Sequence, residues 1–481
     1  MKNRLPLLAL LVALLALGAA WAYYWGTPQL LAVSPEDGAA AVPAGTEIRM
    51  TFSRPMQAAS IAERLIIDPA RKGTFSEQGD VLVFTPEEPW EAGTNVNVQL
   101  QPGALTAGWL PIPLLQSITW SFHIRQPELA YLYPANSPAN IYGLNPLSGE
   151  SKLLTSHPSG VVDFSVSANG AMIYYSANNA QGGSDIYRLD LVKVTDEKQE
   201  GLPEPILVLP CPQAKCRAPA LSPRGDILAY ERAALPGSGQ ADYPQVWYLP
   251  LPAQAASEGA TAPVAPLTPI LAGEVNHQTL QPSWSPEGLL TFYDTTAAAF
   301  AFLDIPSVQR TFFPNQTGLP GSWNPNGRDF IAAEILFMDT NIAENLEGLR
   351  EFANSHLILF NRLDSQTVDL TPAVDMEDTS PSFSPNGRFL AFARKYLDAN
   401  RWTPGRQVWL LHMGSRDAQP MTDEPNYNHF DFAWSPASDQ LAYVRFDQTS
   451  LTEPPEIWLM DPLTGRAILL IAGGYSPRWI P

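Results

Sequence analysis

Three polar loops of the sequence carry residues whose types could support proton transfer or ligand recognition. The loops are GEVNHQTLQPS (273–283), VDMEDTSPS (374–382) and EPNYNHFDFAWS (424–435). Imidazole and carboxylate side chains can exchange protons, and a few convergent polar groups can bind a ligand. The candidate ligand-binding residues are His277, Gln281, Asp378, His429 and Asp431. For each of them, a structural role in capping strands and solvating loops stays open.

No catalytic or metal-binding motif accompanies these residues. The six histidines, at 123, 157, 277, 356, 412 and 429, include no pair at metal-ligand spacing. The sequence lacks a nucleophile elbow, a Walker loop, a dinucleotide fingerprint and a calcium loop. The acidic stretch VDMEDTS (374–380) could hold a cation, but we prefer to interpret it as a solvated loop. We therefore predict no catalytic residue, no metal site and no cofactor.

Cys211 and Cys216, in CPQAKC, are the two cysteines of the chain. In an exported protein, the favoured interpretation is a local disulfide that pins one loop. A metal site would need two further ligands, which the neighbouring sequence does not supply. A redox-active pair has the spacing C-x-x-C more often.

The composition indicates an acidic all-β protein. The 481 residues carry a net charge of −19 and show no Lys/Arg cluster, which argues against binding to nucleic acid. With 47 prolines, 32 glycines and 13 tryptophans, the chain favours turns and short strands over long helices.

The N-terminus predicts export. Two basic residues precede an apolar run from Leu5 to about Trp25, which is long enough to span a bilayer and ends in aromatic residues. We interpret residues 1–27 as an uncleaved transmembrane anchor with the remaining chain outside the cytoplasm. A cleaved signal peptide is the alternative, since AWA at 20–22 fits a cleavage site. A lipoprotein anchor is excluded because no cysteine lies nearby.

Residues 28–125 predict a β-sandwich of short strands. Alternating segments bounded by turns recur in SPEDGAAAVPAGTEIRMTFSRPM, VLVFTPEEPWEAGTNVNVQL and WSFHI. These segments resemble bacterial Ig-like domains of exported surface proteins, whose modules are spacers or adhesive units. The resemblance implies a spacer that carries no chemistry.

A motif recurs through residues 126–481. An aromatic or apolar anchor leads into a tight Ser-Pro-x-Gly turn, and an alternating strand follows. Repeats of roughly 40–60 residues with four strands each predict a β-propeller. The copies are PSWSPEGLLTFY (282–293), GSWNPNGRDFIAA (321–333), PSFSPNGRFLAFA (381–393) and FAWSPASDQLAYV (432–444), with weaker ones at 163–175 and 219–231; their anchors are Phe164, Ala220, Trp284, Trp323, Phe383 and Trp434.

This motif resembles the TolB-like propeller repeat, which reads approximately P-x-W-S-P-D-G and continues into apolar strands. The chain departs from that pattern in having Glu287, Asn326 or Asn386 where Asp is common. Members of the family include binding scaffolds, sensors and the propeller halves of peptidases. A peptidase would require a following α/β-hydrolase domain, and no residues follow Pro481. We therefore expect a binding scaffold or a sensor rather than a peptidase.

The last residues, PRWIP (477–481), repeat the anchor strand alone. The segments ELAYLYP (128–134), NIYGLNPLSGE (140–150) and SKLLT (151–155) supply the other strands of a blade without an anchor. We expect the N- and C-terminal strands of the propeller to pair, complete one blade and close the ring. With this blade included, the predicted propeller has seven blades, and six blades are the alternative.

One insertion, MDTNIAENLEGLREFANS (338–355), has a helical pattern with apolar residues on one face. We prefer to interpret it as a helix packed against its own blade. A partner-docking element is the alternative.

Together the patterns predict an all-β chain: an N-terminal membrane helix, an Ig-like β-sandwich and a β-propeller. Its predicted function is an exported, membrane-anchored, non-enzymatic binding or scaffold protein of a bacterial cell envelope, with an envelope protein or peptide as partner. One alternative is a hydrolase or lyase acting at the channel mouth, which two converging carboxylates or a His–carboxylate pair would favour. The other is a structural surface-layer or adhesion component, which self-assembly would favour.

Overall fold

A computed structural model describes residues 26–87, 89–109, 111–191, 202, 204–237, 239–251, 268–337, 353–450 and 452–481. The chain divides into two compact units, Met1–Gln126 and Pro127–Pro481. The membrane helix predicted for residues 1–27 falls almost entirely outside the described residues. Among those that are described, no helix has both the length and the apolar character needed to cross a bilayer.

The first unit is a β-sandwich. Its elements are β1 (Leu30–Ser34), β2 (Ala39–Val42), β3 (Ile48–Phe52), α1 (Ala58–Ala62), β4 (Leu65–Asp68), β5 (Gly73–Gln78), β6 (Val81–Pro86), β7 (Asn95–Leu100) and β8 (Ile118–Ile124). One four-stranded sheet has the order β1-β3-β6-β5, and the other has the order β2-β8-β7-β4.

The alternating sequence of these strands builds the core of the first unit. In β3, Ile48, Met50 and Phe52 are buried, and the residues between them face outwards more. They pack in one apolar cluster with the buried rings of Trp90 and Trp120. The hydrophobic effect at about 25 cal/mol per Å² of buried apolar surface therefore holds the two sheets together.

The second unit contains the remaining strands. Its described elements are β9 (Glu128–Tyr133), β10 (Asn140–Leu144), β11 (Ser151–Leu153), β12 (Val161–Val166), β13 (Met172–Asn178), β14 (Ser184–Asp190), β15 (Ile206–Leu209), β16 (Ala214–Leu221), β17 (Ile227–Ala234), β18 (Gln245–Pro250), β19 (Ile270–Leu271), β20 (Thr279–Trp284), β21 (Leu290–Asp294), β22 (Ala299–Asp304), β23 (Gln309–Pro314), β24 (Ser322–Trp323), β25 (Asp329–Phe337), β26 (Ala353–Asn361), β27 (Thr367–Asp369), β28 (Met376–Phe383), β29 (Phe389–Tyr396), β30 (Gln407–His412), β31 (Ala418–Pro420), β32 (Tyr427–Trp434), β33 (Leu441–Asp447), β34 (Glu456–Met460), β35 (Ala467–Ala472) and β36 (Tyr475–Ile480).

These strands form a β-propeller of antiparallel sheets. Four sheets contain consecutive strands, β20–β23, β24–β27, β28–β31 and β32–β35. Strands β12–β19 form two further antiparallel groups, which a single parallel bridge between Ser184 and Lys215 joins into one sheet. The first strands of successive groups contact one another around the unit: β12 with β16, β16 with β20, β24 with β28, β28 with β32, β32 with β36, and β36 with β12. We call these first strands the inner ring.

The predicted closure of the propeller is confirmed. Strand β36, at the C-terminus, pairs with β9, which opens the second unit, and the sheet has the order β11-β10-β9-β36. In this pairing Trp479 is opposite Leu129 and Ile480 is opposite Glu128. Trp479 and Ile480 are both buried, so the last residues are part of the core.

Three tryptophan anchors join their blades to the preceding ones. The indole N–H groups of Trp284, Trp434 and Trp479 donate to carbonyl oxygens of the preceding inner strand at 2.9, 3.0 and 2.9 Å. The serine of the turn has its own role, because the Ser285 hydroxyl accepts the Leu289 N–H at 2.9 Å. The repeat therefore encodes contacts between blades as well as the turn within each blade.

Strand pairing corrects two anchors. Phe164 and Ala220 were predicted to hold the anchor position, but they lie just before it. Val166 and Leu221 pair with the second strands of their blades as Trp284 does. Neither copy has an aromatic residue at the anchor itself, so the serine of the turn marks the anchor better than an aromatic residue does.

The predicted helix at 338–355 is wrong at its end. Residues 338–352 lie outside the described residues, whereas Ala353, Asn354 and Ser355 begin strand β26. Strand β26 pairs with β25 along its whole length, from Phe337 opposite Ala353 to Asp329 opposite Asn361. The backbone pairing available from β25 therefore outweighs the helical periodicity of these last residues.

Candidate functional site

The inner ring repeats one backbone distortion. The residue three positions before each anchor, here called the bulge position, is Asp163, Ala218, Gln281, Pro320, Ser380, Asp431 or Ser476. The ladder register shifts beside this position in β12, β16, β20, β28, β32 and β36. Bulges of this kind turn side chains and amides away from the regular ladder, and they are common near functional sites.

Five of these positions have a left-handed backbone. The φ angles of Ala218, Gln281, Ser380, Asp431 and Ser476 lie between 48° and 58°. Side chains other than glycine rarely adopt this region, and such a residue costs of the order of 1–3 kcal/mol. The same unfavourable conformation therefore recurs around the ring.

Two carboxylates accept hydrogen bonds from backbone amides that the bulges free from strand pairing. Asp163 Oδ2 accepts the backbone N–H of Ala218 at 2.8 Å, and Glu231 Oε1 accepts that of Gln281 at 2.7 Å. In each case the carboxylate belongs to the blade before the one that donates the amide. Acidic side chains therefore lie between neighbouring inner strands.

The surroundings favour the neutral forms of both carboxylates. Burial raises the pKa of Asp163 from 3.8 to about 6, and the negative charge of Glu231 adds to this effect. Burial also raises the pKa of Glu231, against the opposing effects of the Gln281 amide and the Arg217 charge. A carboxyl with a pKa near 6 can exist in both protonation states near neutral pH.

Several buried polar atoms of the inner ring have no protein partner among the described residues. They are Asp163 Oδ1, Ser165 Oγ, Arg217 Nε and Gln281 Oε1. Unsatisfied buried groups of this kind are rare in folded proteins, and each costs about 1–3 kcal/mol. Two acceptor oxygens, a hydroxyl and a guanidinium N–H of the inner ring therefore lack a hydrogen-bond partner within the described protein.

The inner strands also enclose a cavity of about 790 Å³. Its polar lining includes Ser165, Ser322, Ser382 and an ion pair in which Arg478 Nη1 lies 2.8 Å from Asp431 Oδ1. Its apolar lining includes the anchor Trp434. Ligand sites combine such apolar walls with a few polar groups.

Two of the predicted residues are at bulge positions of the inner ring. Gln281 donates from Nε2 to the Gly318 carbonyl at 3.0 Å, and its Oε1 has no protein partner. Asp431 lines the cavity of about 790 Å³ and also a second one of about 480 Å³ that contains Tyr475 and Ser476. Asp431 therefore lies at the wall of two cavities, whereas the unpartnered Oε1 atom of Gln281 is buried between strands.

The other three predicted residues have protein partners within or beside their own sheets. Both oxygens of the fully buried Asp378 accept bonds from Arg394, at 2.7 and 2.8 Å. The Nδ1 atom of His277 lies 2.6 Å from Asp294 Oδ2. These geometries account for both residues by ion pairing and hydrogen bonding alone.

His429 is fully buried. Its Nδ1 donates to the Arg406 carbonyl at 2.7 Å, and its Nε2 lies 3.0 Å from Glu424 Oε2. The hydrogen bond from His429 and the ion pair with Arg445 lower the pKa of Glu424 to about 2. His429, Glu424 and Arg445 together therefore bind the loop before β32 to its blade.

Sequence reasoning missed Asp163, Ser165, Arg217, Glu231 and Arg478. A signal for Asp163 was present, since it stands four residues before the turn serine Ser167, as Gln281 stands before Ser285. Glu231 and Arg217 carry no comparable signal. Within the described chain, no three His, Cys, Asp or Glu side chains are grouped so that they could hold a metal ion.

Solved structures similar to this chain include two TolB proteins and one peptidase. TolB from Acinetobacter baumannii is 11% identical, with a TM-score of 0.41 over 95% of this chain and 99% of that chain. The putative TolB from Agrobacterium tumefaciens is 16% identical, with a TM-score of 0.37 over 73% and 91%. A puromycin-hydrolyzing peptidase from Mycobacterium tuberculosis is 14% identical, with a TM-score of 0.49 over 90% of this chain and 57% of that chain.

A comparison with curated proteins finds no match. At the sequence level, residues 26–123 match the family described as bacterial Ig-like domain. The matched range includes every strand of the first unit, although β8 ends one residue beyond it. The first unit of this chain is therefore a bacterial Ig-like domain.

Proposed function

We propose that this chain is an exported, membrane-anchored, non-enzymatic binding protein of a bacterial cell envelope. In this proposal residues 1–27 form the anchor, 28–125 the spacer, and 126–481 a seven-bladed propeller that binds a protein or peptide. The seven blades are supported by the anchor positions at Val166, Leu221, Trp284, Trp323, Phe383, Trp434 and Trp479.

The observation that carries the proposal is the set of unpartnered polar atoms on the inner ring. Asp163 is held in a position that disfavours its charge, and one of its oxygens has no protein partner. A core built for stability alone would pair this carboxylate, as Asp378 is paired with Arg394. A ligand that presents amide N–H or cationic groups would satisfy the unpartnered oxygen of Asp163 or of Gln281.

Export is supported by two separate features. The apolar run at 5–25 has the length of a membrane span. Cys211 and Cys216 are disulfide-bonded, as is usual in oxidising compartments.

Affinity capture from a native envelope extract tests the binding role. The full chain in detergent serves as bait, beside a channel variant, Asp163→Asn with Asp431→Asn. The matched control is Glu91→Gln with Glu150→Gln, which removes the same charge from two exposed residues. We expect one component to be retained about tenfold less by the channel variant, equivalent to roughly 1.4 kcal/mol, and equally by the control. Equal retention by all three baits would contradict the proposal.

A second candidate, a hydrolase or lyase, is favoured by the interacting carboxylates Asp163 and Glu231. One of them protonated and the other ionised could act as general acid and base. The same capture distinguishes the two functions, because mass spectrometry reads whether the retained component is cleaved. Cleavage that Asp163→Asn abolishes would favour the enzyme, and an intact component would favour the binding protein.

A further inference from the structure

One end of the Ig-like domain lies where the apolar N-terminal segment joins it. The described chain begins at Gly26, and Gln29 exchanges hydrogen bonds with Ser53 at 2.9 and 3.0 Å. Two residues later, the Pro55 carbonyl accepts the N–H of Ala107 at 2.8 Å. The loop that contains Trp109 therefore lies at the same end of the sandwich as the residues that follow the apolar segment.

This end also carries the exposed large apolar side chains of the domain. Trp109 is 93% exposed, although tryptophan is usually well buried. Leu31 follows Gln29 closely, and Leu115 follows Leu114, whose carbonyl accepts the N–H of Gly103. Ile66 is the second residue of β4 and lies opposite Gln99. Among the described residues of this unit, these are the large apolar side chains that are exposed. We call these four residues the apolar end.

The opposite end of the sandwich has a different character. There Trp90 is buried, and its indole N–H donates to the Thr46 carbonyl at 2.8 Å. The neighbouring exposed residues include Glu87 and Glu91. The contrast between the two ends shows that the exposed apolar groups are not spread evenly over the domain.

We infer that the apolar end is a second membrane contact, with Trp109 inserted at the boundary between lipid headgroups and acyl chains. The inference rests on the proposed anchor, because a span that ends near residue 25 would hold this end against the bilayer. Tryptophan favours that boundary, and the exposed Arg54 between Ser53 and Pro55 would favour anionic headgroups. Two contacts would fix the orientation of the domain on the membrane, whereas a single span would not.

Depth-dependent quenching tests this contact. The full chain carries Trp109→Cys labelled with the fluorophore NBD, without reductant, so that the disulfide between Cys211 and Cys216 stays closed. Vesicles contain phosphatidylethanolamine and phosphatidylglycerol, with or without a lipid that bears a nitroxide near the headgroup. Leu115→Cys is a second probe of the apolar end, and Glu91→Cys is the matched control at the opposite end.

We expect both probes of the apolar end to be quenched roughly twofold by the nitroxide lipid, with blue-shifted emission, and the control to be unaffected. Flotation of the same vesicles reports the anchor separately. A chain that floats with unquenched probes at 109 and 115 would refute the contact and leave the anchor intact. A chain that fails to float would refute both. Blue-shifted but unquenched probes would show that protein covers the apolar end, which also overturns the inference.

Discussion

Two aspartates of the inner strands show how the surroundings of a residue determine its role. Asp378 gives both oxygens to Arg394, and the two side chains are buried together. Asp163 has a backbone amide on one oxygen and no protein partner on the other. The first geometry stabilises the blade, and the second leaves a carboxylate whose charge is poorly supported.

The raised pKa of Asp163 has a consequence for stability. Because the folded chain holds this proton more tightly than the unfolded chain, the favourable contribution is complete below about pH 4 and is lost as pH rises through about 6. The rise of the Asp163 pKa from 3.8 to about 6 corresponds to at most about 3 kcal/mol. We therefore expect Asp163→Asn to gain about 1–3 kcal/mol relative to wild type between pH 4 and pH 8.

Urea unfolding of wild type and Asp163→Asn across this pH range measures the difference. The exposed Glu150→Gln is the control, and its difference from wild type should vary little with pH. A difference between Asp163→Asn and wild type that stayed constant from pH 4 to pH 8 would show that the carboxyl is not perturbed.

The histidines show the limit of reading single residues from sequence. His277 and His429 are in polar loops, which suggested a ligand site, yet their ring nitrogens already face Asp294, Glu424 and a backbone carbonyl. Residue type predicts what a side chain can bond with. It does not predict whether a residue of the same blade already forms a hydrogen bond with that side chain.

At the scale of elements, the anchor strand was the most predictable part of the chain. Its aromatic or apolar anchor and its turn residues recur because neighbouring blades pack at the anchor and a tight turn follows it. The bulge was not predicted, since a residue such as Gln281 or Ser380 gives no sign of a left-handed backbone. It is visible only once strand register is known.

Strand β36 is the element whose loss should be most damaging. It pairs with β9 and buries Trp479 and Ile480, so deleting Tyr475–Pro481 opens the ring and removes core side chains. Losing a buried aromatic residue alone costs about 3–5 kcal/mol. We expect the melting temperature of the propeller to fall by roughly 10 °C or more.

Differential scanning calorimetry of the truncated chain measures this fall. Leu463→Ser, which changes an exposed turn residue, is the control and should melt as wild type does. An unchanged melting temperature for the truncation would mean that β36 does not close the propeller.

At the scale of the whole molecule, sequence predicted the order of parts better than the site. Local alternation and the repeated turn specify the sandwich and the propeller, because both are encoded within short segments. The site joins residues that are distant in sequence, such as Asp163 with Ala218 and Asp431 with Arg478. Their meeting depends on the packing of neighbouring blades, which no single segment encodes.

The central claim is that the propeller binds an envelope component through its inner ring, and photocrosslinking in the native host tests it most directly. A benzophenone amino acid replaces Ser382, which lines the cavity, or Leu463, which is exposed on an outer turn. We predict an adduct with one envelope component from position 382, lost with Asp431→Asn and absent from position 463. No adduct at 382, or the same adducts from both positions, would contradict the account.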